Sequence, residues 1–180
     1  MRIPSLFGPL ALLTALLVTL LPVSAGTLDL AVVQLTGLVA EEDVNQALEG
    51  QNLREAAFGD RFEIRDQSFR GSPVLFSQTL GVRLGDRFLS SMRVGGQRAE
   101  VEGQISANQL KAQVVISEGV QKPLRRFSQM AYRGQGRLVT GPARVLSLRQ
   151  VDVRQPSVVR GQARVASEQF TIALLYQYRP

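Results

Sequence analysis

Cysteine and histidine are both absent from this chain of 180 residues. Without them there can be no Ser-His-Asp triad, no Cys-His nucleophile pair and no ordinary zinc site. Disulfides are excluded too, though an exported domain of this size does not need them if its core is adequate. Lysine is scarce: only Lys111 and Lys122 among 21 basic residues, the rest being arginine. No Asp-x-Asx-x-Asx-Gly loop offers a calcium site. Hydrophobic runs of spanning length are missing as well. The longest apolar stretch, Leu10 to Leu21, has about 12 residues, short of the ~20 that cross a bilayer.

That short run is nevertheless informative. Arg2 precedes it, Pro22 breaks it, and Val23-Ser24-Ala25 supplies small residues before a cut. This is the order of parts in a secretory signal peptide. The expectation is therefore a leader over 1–25 and a single exported domain over 26–180, in the periplasm or outside a Gram-negative cell. No cysteine follows the leader, so a lipid-modified first residue is not expected, and the mature chain should not span a membrane.

Charge divides along the chain. Gly26 to Met92 holds 6 Arg against 10 acidic residues, a net of −4, whereas Arg93 to Pro180 holds 14 basic against 5 acidic residues, a net of +9. Arginine binds carboxylate and phosphate bidentately, so the basic half suggests an anionic partner. Outside the cytoplasm that means an envelope protein face, an anionic glycan or a lipid headgroup. Nucleic acid is not expected.

Periodicity places the elements. Leu28 to Leu35 reads as a strand. Val39 to about Phe58 reads as a helix, with Glu41, Glu42 and Asp43 in its first turn and Gly50 as a point where a first helix could end. Arg61 to Arg65 alternates as a half-buried strand. Phe76, Leu80, Leu84, Phe88 and Met92 recur every four residues, which predicts a helix over at least Asp86–Met92, although Leu80, Val82 and Leu84 also alternate and Gly85-Asp86 suits a turn. Beyond Gly96 the pattern is β throughout: Ala99 to Ile105, Leu110 to Ser117, a weaker run from Leu124 to Tyr132, Leu146 to Val153 with a change of phase near Gln150 that predicts a bulge, and Phe170 to Tyr178, which should tie the C-terminus into the sheet. Leu138 to Pro142 and Gln155-Pro156-Ser157 are expected turns. Arg-Gly-Gln occurs at Arg133 and again at Arg160, a repeat too short to establish a duplicated hairpin.

Few residues point to chemistry. Glu100 and Glu102, two apart on one strand face, are the best candidate for paired carboxylates, but Arg98 shares that face. No spacing fits a Ser-Lys dyad, and Gly134-Gln135-Gly136 lacks the helix start a phosphate loop needs. The densest basic and aromatic cluster is Arg125, Arg126, Phe127, Tyr132 and Arg133, a composition favoured at binding hot spots. It is the expected binding site.

The sequence therefore predicts an α+β fold: a largely antiparallel sheet of five to seven strands with one or two helices from the N-terminal half. The function expected is a non-catalytic envelope protein, without cofactor or metal, that binds an anionic partner through its Arg-rich C-terminal half. An alternative is a carrier or chaperone for an apolar ligand, with Phe76, Leu80, Ile105, Val114 and Leu174 lining a cavity. A glycan hydrolase working through Glu100 and Glu102 is a third reading.

Overall fold

In a computed structural model, residues 25–64, 69, 72–94, 96–118 and 129–180 are described. The expected leader lies outside them. Order along the chain is β1 (Gly26–Thr36), α1 (Glu41–Leu48), α2 (Leu53–Ala56), β2 (Ala57–Phe58), β3 (Arg61–Phe62), β4 (Ser72–Val82), β5 (Arg87–Val94), β6 (Gln97–Ile105), β7 (Gln109–Glu118), β8 (Gln129–Arg137), β9 (Arg144–Val159) and β10 (Gln162–Arg179). The strands form a six-stranded sheet, ordered β2-β3-β4-β1-β10-β9, and a four-stranded sheet, ordered β5-β6-β7-β8. All pairings between these strands are antiparallel. The antiparallel character and the helices of the acidic half agree with the sequence reading. The fold is nonetheless mainly β rather than α+β, because the two helices are short and the strands divide between two sheets.

The six-stranded sheet is the middle of three layers. Even-numbered residues of its central strands, such as Leu28, Leu30 and Val32 of β1 and Ile172, Leu174 and Tyr176 of β10, pack with Val101, Ile105, Leu110 and Val114 of the four-stranded sheet. Odd-numbered residues, Ala31, Val33 and Leu35 of β1 with Ala173 and Leu175 of β10, pack with Val44, Leu48 and Leu53 of the helices. A strand covered on both faces loses its polar alternation. This is why Leu28–Leu35 and Phe170–Tyr178 read as nearly unbroken apolar runs.

Several expectations need correction. The single helix over Val39–Phe58 is two, broken around Gly50, which takes a positive φ of 73°. The expected strand Arg61–Arg65 pairs over only two residues. The helix expected over Asp86–Met92 is strand β5, entered through Gly85 at φ 94°. Its four-residue recurrence was misleading because four is also two β-periods: Phe88 and Met92 face the core between the sheets while Leu89 faces out. Gln155-Pro156-Ser157 is not a turn but part of β9, an outer strand where proline's missing N–H costs no ladder bond on the free side. The bulge lies at Leu146, between pairs Leu174↔Ser147 and Leu175↔Val145, four residues before Gln150. The two Arg-Gly-Gln copies differ in structure: Arg133 opens one in mid-strand, and Arg160 opens the other in the turn between β9 and β10.

Past the body, β9 and β10 continue without a third described strand beside them. β1 accompanies β10 only as far as the pair Thr36↔Phe170, yet β10 stays paired with β9 out to Gln162↔Val159. Every described residue from Arg160 to Gln169 is exposed. The result is a two-stranded arm of roughly 27 Å at ~3.4 Å per residue. No helix among the described residues is long and apolar enough to cross a membrane.

Candidate binding face

The outer face of the four-stranded sheet is set by strand register. Arg87 of β5, Gln104 of β6, Lys111 of β7 and Gln135 of β8 stand side by side in one row; Leu89, Glu102, Gln113 and Arg133 form the next. Together these rows line a shallow open trough of ≈ 730 Å³. Lys111 and Arg133 are diagonal neighbours on adjacent strands, about 7–8 Å apart by strand geometry. Among the described residues none of Arg87, Lys111 and Arg133 forms an ion pair, whereas Arg98 on the same face is paired with Glu100 at 2.8 Å. Glu102 is the one acidic residue lining the trough among the described residues. Leu89 at its rim is 81% exposed.

Phe88 makes the sheet close-packed beneath the trough. Its ring lies over Gly103, where a Cβ would collide with both the ring and the Lys111 carbonyl oxygen. Glycine is the only residue that admits this approach without displacement.

Of the expected binding cluster, Arg125, Arg126 and Phe127 lie outside the described residues. The other two members are described but do not share a face. Tyr132 points into the core between the sheets and is 6% exposed, its hydroxyl donating to Met130 Sδ at 3.4 Å. Burial raises its pKa, against a smaller opposing effect of Arg149. Arg133 projects into the trough from the opposite side of the same strand. Adjacent residues of a strand point to opposite faces, so proximity in sequence does not make a joint site here. The sequence reading missed Arg87, Leu89, Gln113 and Gln135. The signal for Arg87, Gln113 and Gln135 was their polar phase in each strand, the apolar Leu89 gave none, and pairing register alone brings them together.

Glu100 and Glu102 are both exposed on this open face, with Glu100 held by Arg98. Among the described residues nothing encloses them as a carboxylate pair in a cleft requires. Phe76, Ile105, Val114 and Leu174 are buried in the cluster between the sheets, and Leu80 packs against it. None of them lines the trough.

A second polar constellation lies on the helix side of the six-stranded sheet. Asp29 of β1 is 3% exposed. Its Oδ1 accepts from Arg54 Nε at 2.8 Å and from Thr79 Oγ1 at 2.6 Å, and its Oδ2 accepts from Arg179 Nη2. Beside it, Gln177 accepts from the Leu53 N–H at 2.8 Å and donates to the Gly141 carbonyl at 2.8 Å. These bonds fasten α2 and the β8–β9 loop to the ends of β1 and β10. Asn45 similarly fastens α1 by accepting from the Val145 N–H at 2.8 Å. The constellation satisfies buried polar groups and anchors elements. Among the described residues no three His, Cys, Asp or Glu side chains gather as a metal site would require.

No protein-family model and no curated protein matches the chain. Among solved structures, a type II secretin from enteropathogenic Escherichia coli aligns at 10% identity and a TM-score of 0.34, over 86% of this chain and 65% of that one. A secretin-domain β-barrel from the Salmonella SPI-1 injectisome aligns at 12% identity and a TM-score of 0.29, over 86% and 61%. The chain thus spans less than two thirds of the length of either. A likeness this slight carries no argument about family or function.

Proposed function

We propose that this is a non-catalytic, exported protein of a bacterial cell envelope that docks an acidic face of a partner protein on the outer surface of its four-stranded sheet. The observation that carries the reading is the trough itself: Arg87, Lys111 and Arg133 stand exposed around it without ion-pair partners among the described residues, beside the exposed Leu89. Arginine next to exposed apolar surface is the composition of protein interfaces. A broad, open trough suits a protein surface better than a small ligand, which is normally enclosed.

Export rests on the N-terminal run and its small-residue site. Gly26 is packed against the Tyr178 ring, where a Cβ would lie 2.7 Å from the hydroxyl. The absence of His and Cys and the exposure of Glu100 and Glu102 favour binding over catalysis.

The test is capture of partners from intact cells by cross-linking to the tagged chain, with washes at low and high salt. An acidic protein should be recovered in stoichiometric amount, and its release should rise steeply with ionic strength. The double change Lys111→Glu and Arg133→Glu should weaken capture at least about tenfold, as expected when like charges are juxtaposed across an interface. Recovery of only glycan or lipid, or capture indifferent to both salt and charge reversal, refutes the reading.

A further inference from the structure

The β9–β10 arm has an edge that none of the described residues covers. In an antiparallel strand the backbone groups of alternate residues point to opposite sides. The Arg164 carbonyl accepts from Ser157 Oγ of β9, at 3.5 Å, so even-numbered residues of the arm face β9. The Gln169 carbonyl accepts from the Gly37 N–H at 2.8 Å, where β1 ends, so odd-numbered residues face the other way. Beyond Gly37 the N–H and C=O groups of Ala163, Val165 and Ser167 therefore form an open edge, seven residues long from Gln162 to Glu168. The side chains are equally uncovered: Val165 is 71% and Val158 76% exposed. A free two-stranded ribbon is at best marginally stable in water, and an uncapped edge is a template for another strand.

We infer that the occupant of this edge is a second copy of the same chain, joined by antiparallel β10–β10 pairing about a two-fold axis at Val165. The edge is complementary to itself in that register. Val165 faces Val165 of the second copy, burying two valines that water now surrounds. Ala163 faces Ser167, and Gln162 faces Glu168. Arg164 is opposite Ala166, and its two diagonal neighbours are Glu168 and Arg164 of the second copy, so two opposite-charge diagonals outweigh the single like-charge diagonal at the axis and no like charges oppose each other directly. The free span matches as well: in this register the incoming strand occupies positions opposite 162–168 and stops where Gly37 already holds Gln169. The incoming strand runs in line with β1 and in the same direction, so it extends the existing sheet. The contact is isologous and closes at two copies.

The full chain, expressed with its N-terminal segment and purified as the cell processes it, should sediment as a dimer at micromolar concentration. Val165→Pro removes an N–H that faces only the open edge, so the ladder with β9 stays whole. It should weaken dimerisation at least about tenfold and leave the melting temperature of the monomer within error. Because the chain has no cysteine, Val165→Cys gives an independent reading. In an antiparallel hydrogen-bonded pair the Cα atoms are about 5.5 Å apart, within disulfide range. The oxidised variant should run as a covalent dimer, and Glu100→Cys, on the far sheet, should not. A chain that stays monomeric at all concentrations, a dimer unmoved by Val165→Pro, or failure of Val165→Cys to cross-link overturns the inference.

Discussion

Asp29→Asn tests how the helices are held to the sheet. The carboxylate is 3% exposed and accepts three hydrogen bonds. An asparagine can keep one acceptor towards Thr79 and Arg54, but its amide nitrogen then turns towards Arg179, donor against donor. One to two charge-assisted bonds are lost, at roughly 1.5–3 kcal/mol each. The arginine side chains are 51% and 32% exposed, so water recovers part of that loss, and the full cost of breaking a buried pair, about 3–5 kcal/mol, is not reached. The expected loss is about 2–4 kcal/mol, or roughly 5–12 °C in Tm for a domain of this size. Urea and thermal unfolding of the two proteins measure it directly. Arg54→Met should cost less, because only one bond goes and its stem still packs. If Asp29→Asn shifts stability by less than about 0.5 kcal/mol, comparable to an ordinary surface change, then the constellation does not anchor α2 and the C-terminal strand as argued.

Other expectations concern single positions. Gly103→Ala should destabilise by about 2–3 kcal/mol, because the new methyl meets both the Phe88 ring and a backbone oxygen; a neutral result in unfolding experiments contradicts the close packing under the trough. Arg160, at φ 53°, is the one described non-glycine residue with positive φ and precedes Gly161 at φ 74°, a two-residue turn that prefers Asn-Gly. Arg160→Asn should stabilise the arm by about 1 kcal/mol, seen as slower amide exchange at Val159 and Gln162, and faster exchange there refutes it. Burial raises the pKa of both Tyr132 and Tyr176, the latter despite the Val139 N–H bond and the nearby Arg144. Their neutral forms favour the fold, so stability should be full below the unfolded tyrosine value near 10 and fall as pH rises from there through the raised folded values. Urea midpoints measured from about pH 8 to 11 should decline, with less slope in Tyr132→Phe; a flat profile counts against tyrosine burial as the cause.

Much of the fold was legible in alternation. Leu28–Leu35, Ala99–Ile105, Leu110–Ser117 and Phe170–Tyr178 are all strands, because a side chain's face in a strand depends only on its place in a period of two. Ambiguity arose where two periods share a harmonic: the four-residue spacing of Phe88 and Met92 fits a helix face and a strand face equally, and their packing against the core between the sheets chose the strand. Pro156 read as a turn, yet it sits in β9 at the outside of the sheet, a position invisible in local sequence.

The candidate site was less legible. Arg133 could be singled out, since arginine beside aromatic residues is a local composition. Its true neighbours, Lys111 and Gln113, come from the adjacent strand β7, with Leu89 farther along the same row on β5, and they share its face only through register. Tyr132, its neighbour in the chain, turned away into the core.

By itself the amino-acid sequence determined the strand-rich character, the split of charge between the halves, the chemistries ruled out by the missing His and Cys, and the leader-like run at the start. These are properties of composition and short-range pattern. Tertiary structure alone decided the division into two sheets, the three-layer burial that covers both faces of β1 and β10, the meeting of Asp29 with Arg54 and Arg179, and the arm that β9 and β10 extend beyond β1. Each depends on contacts between residues up to 150 positions apart, and those are selected by the simultaneous packing of all the faces, which no local pattern encodes.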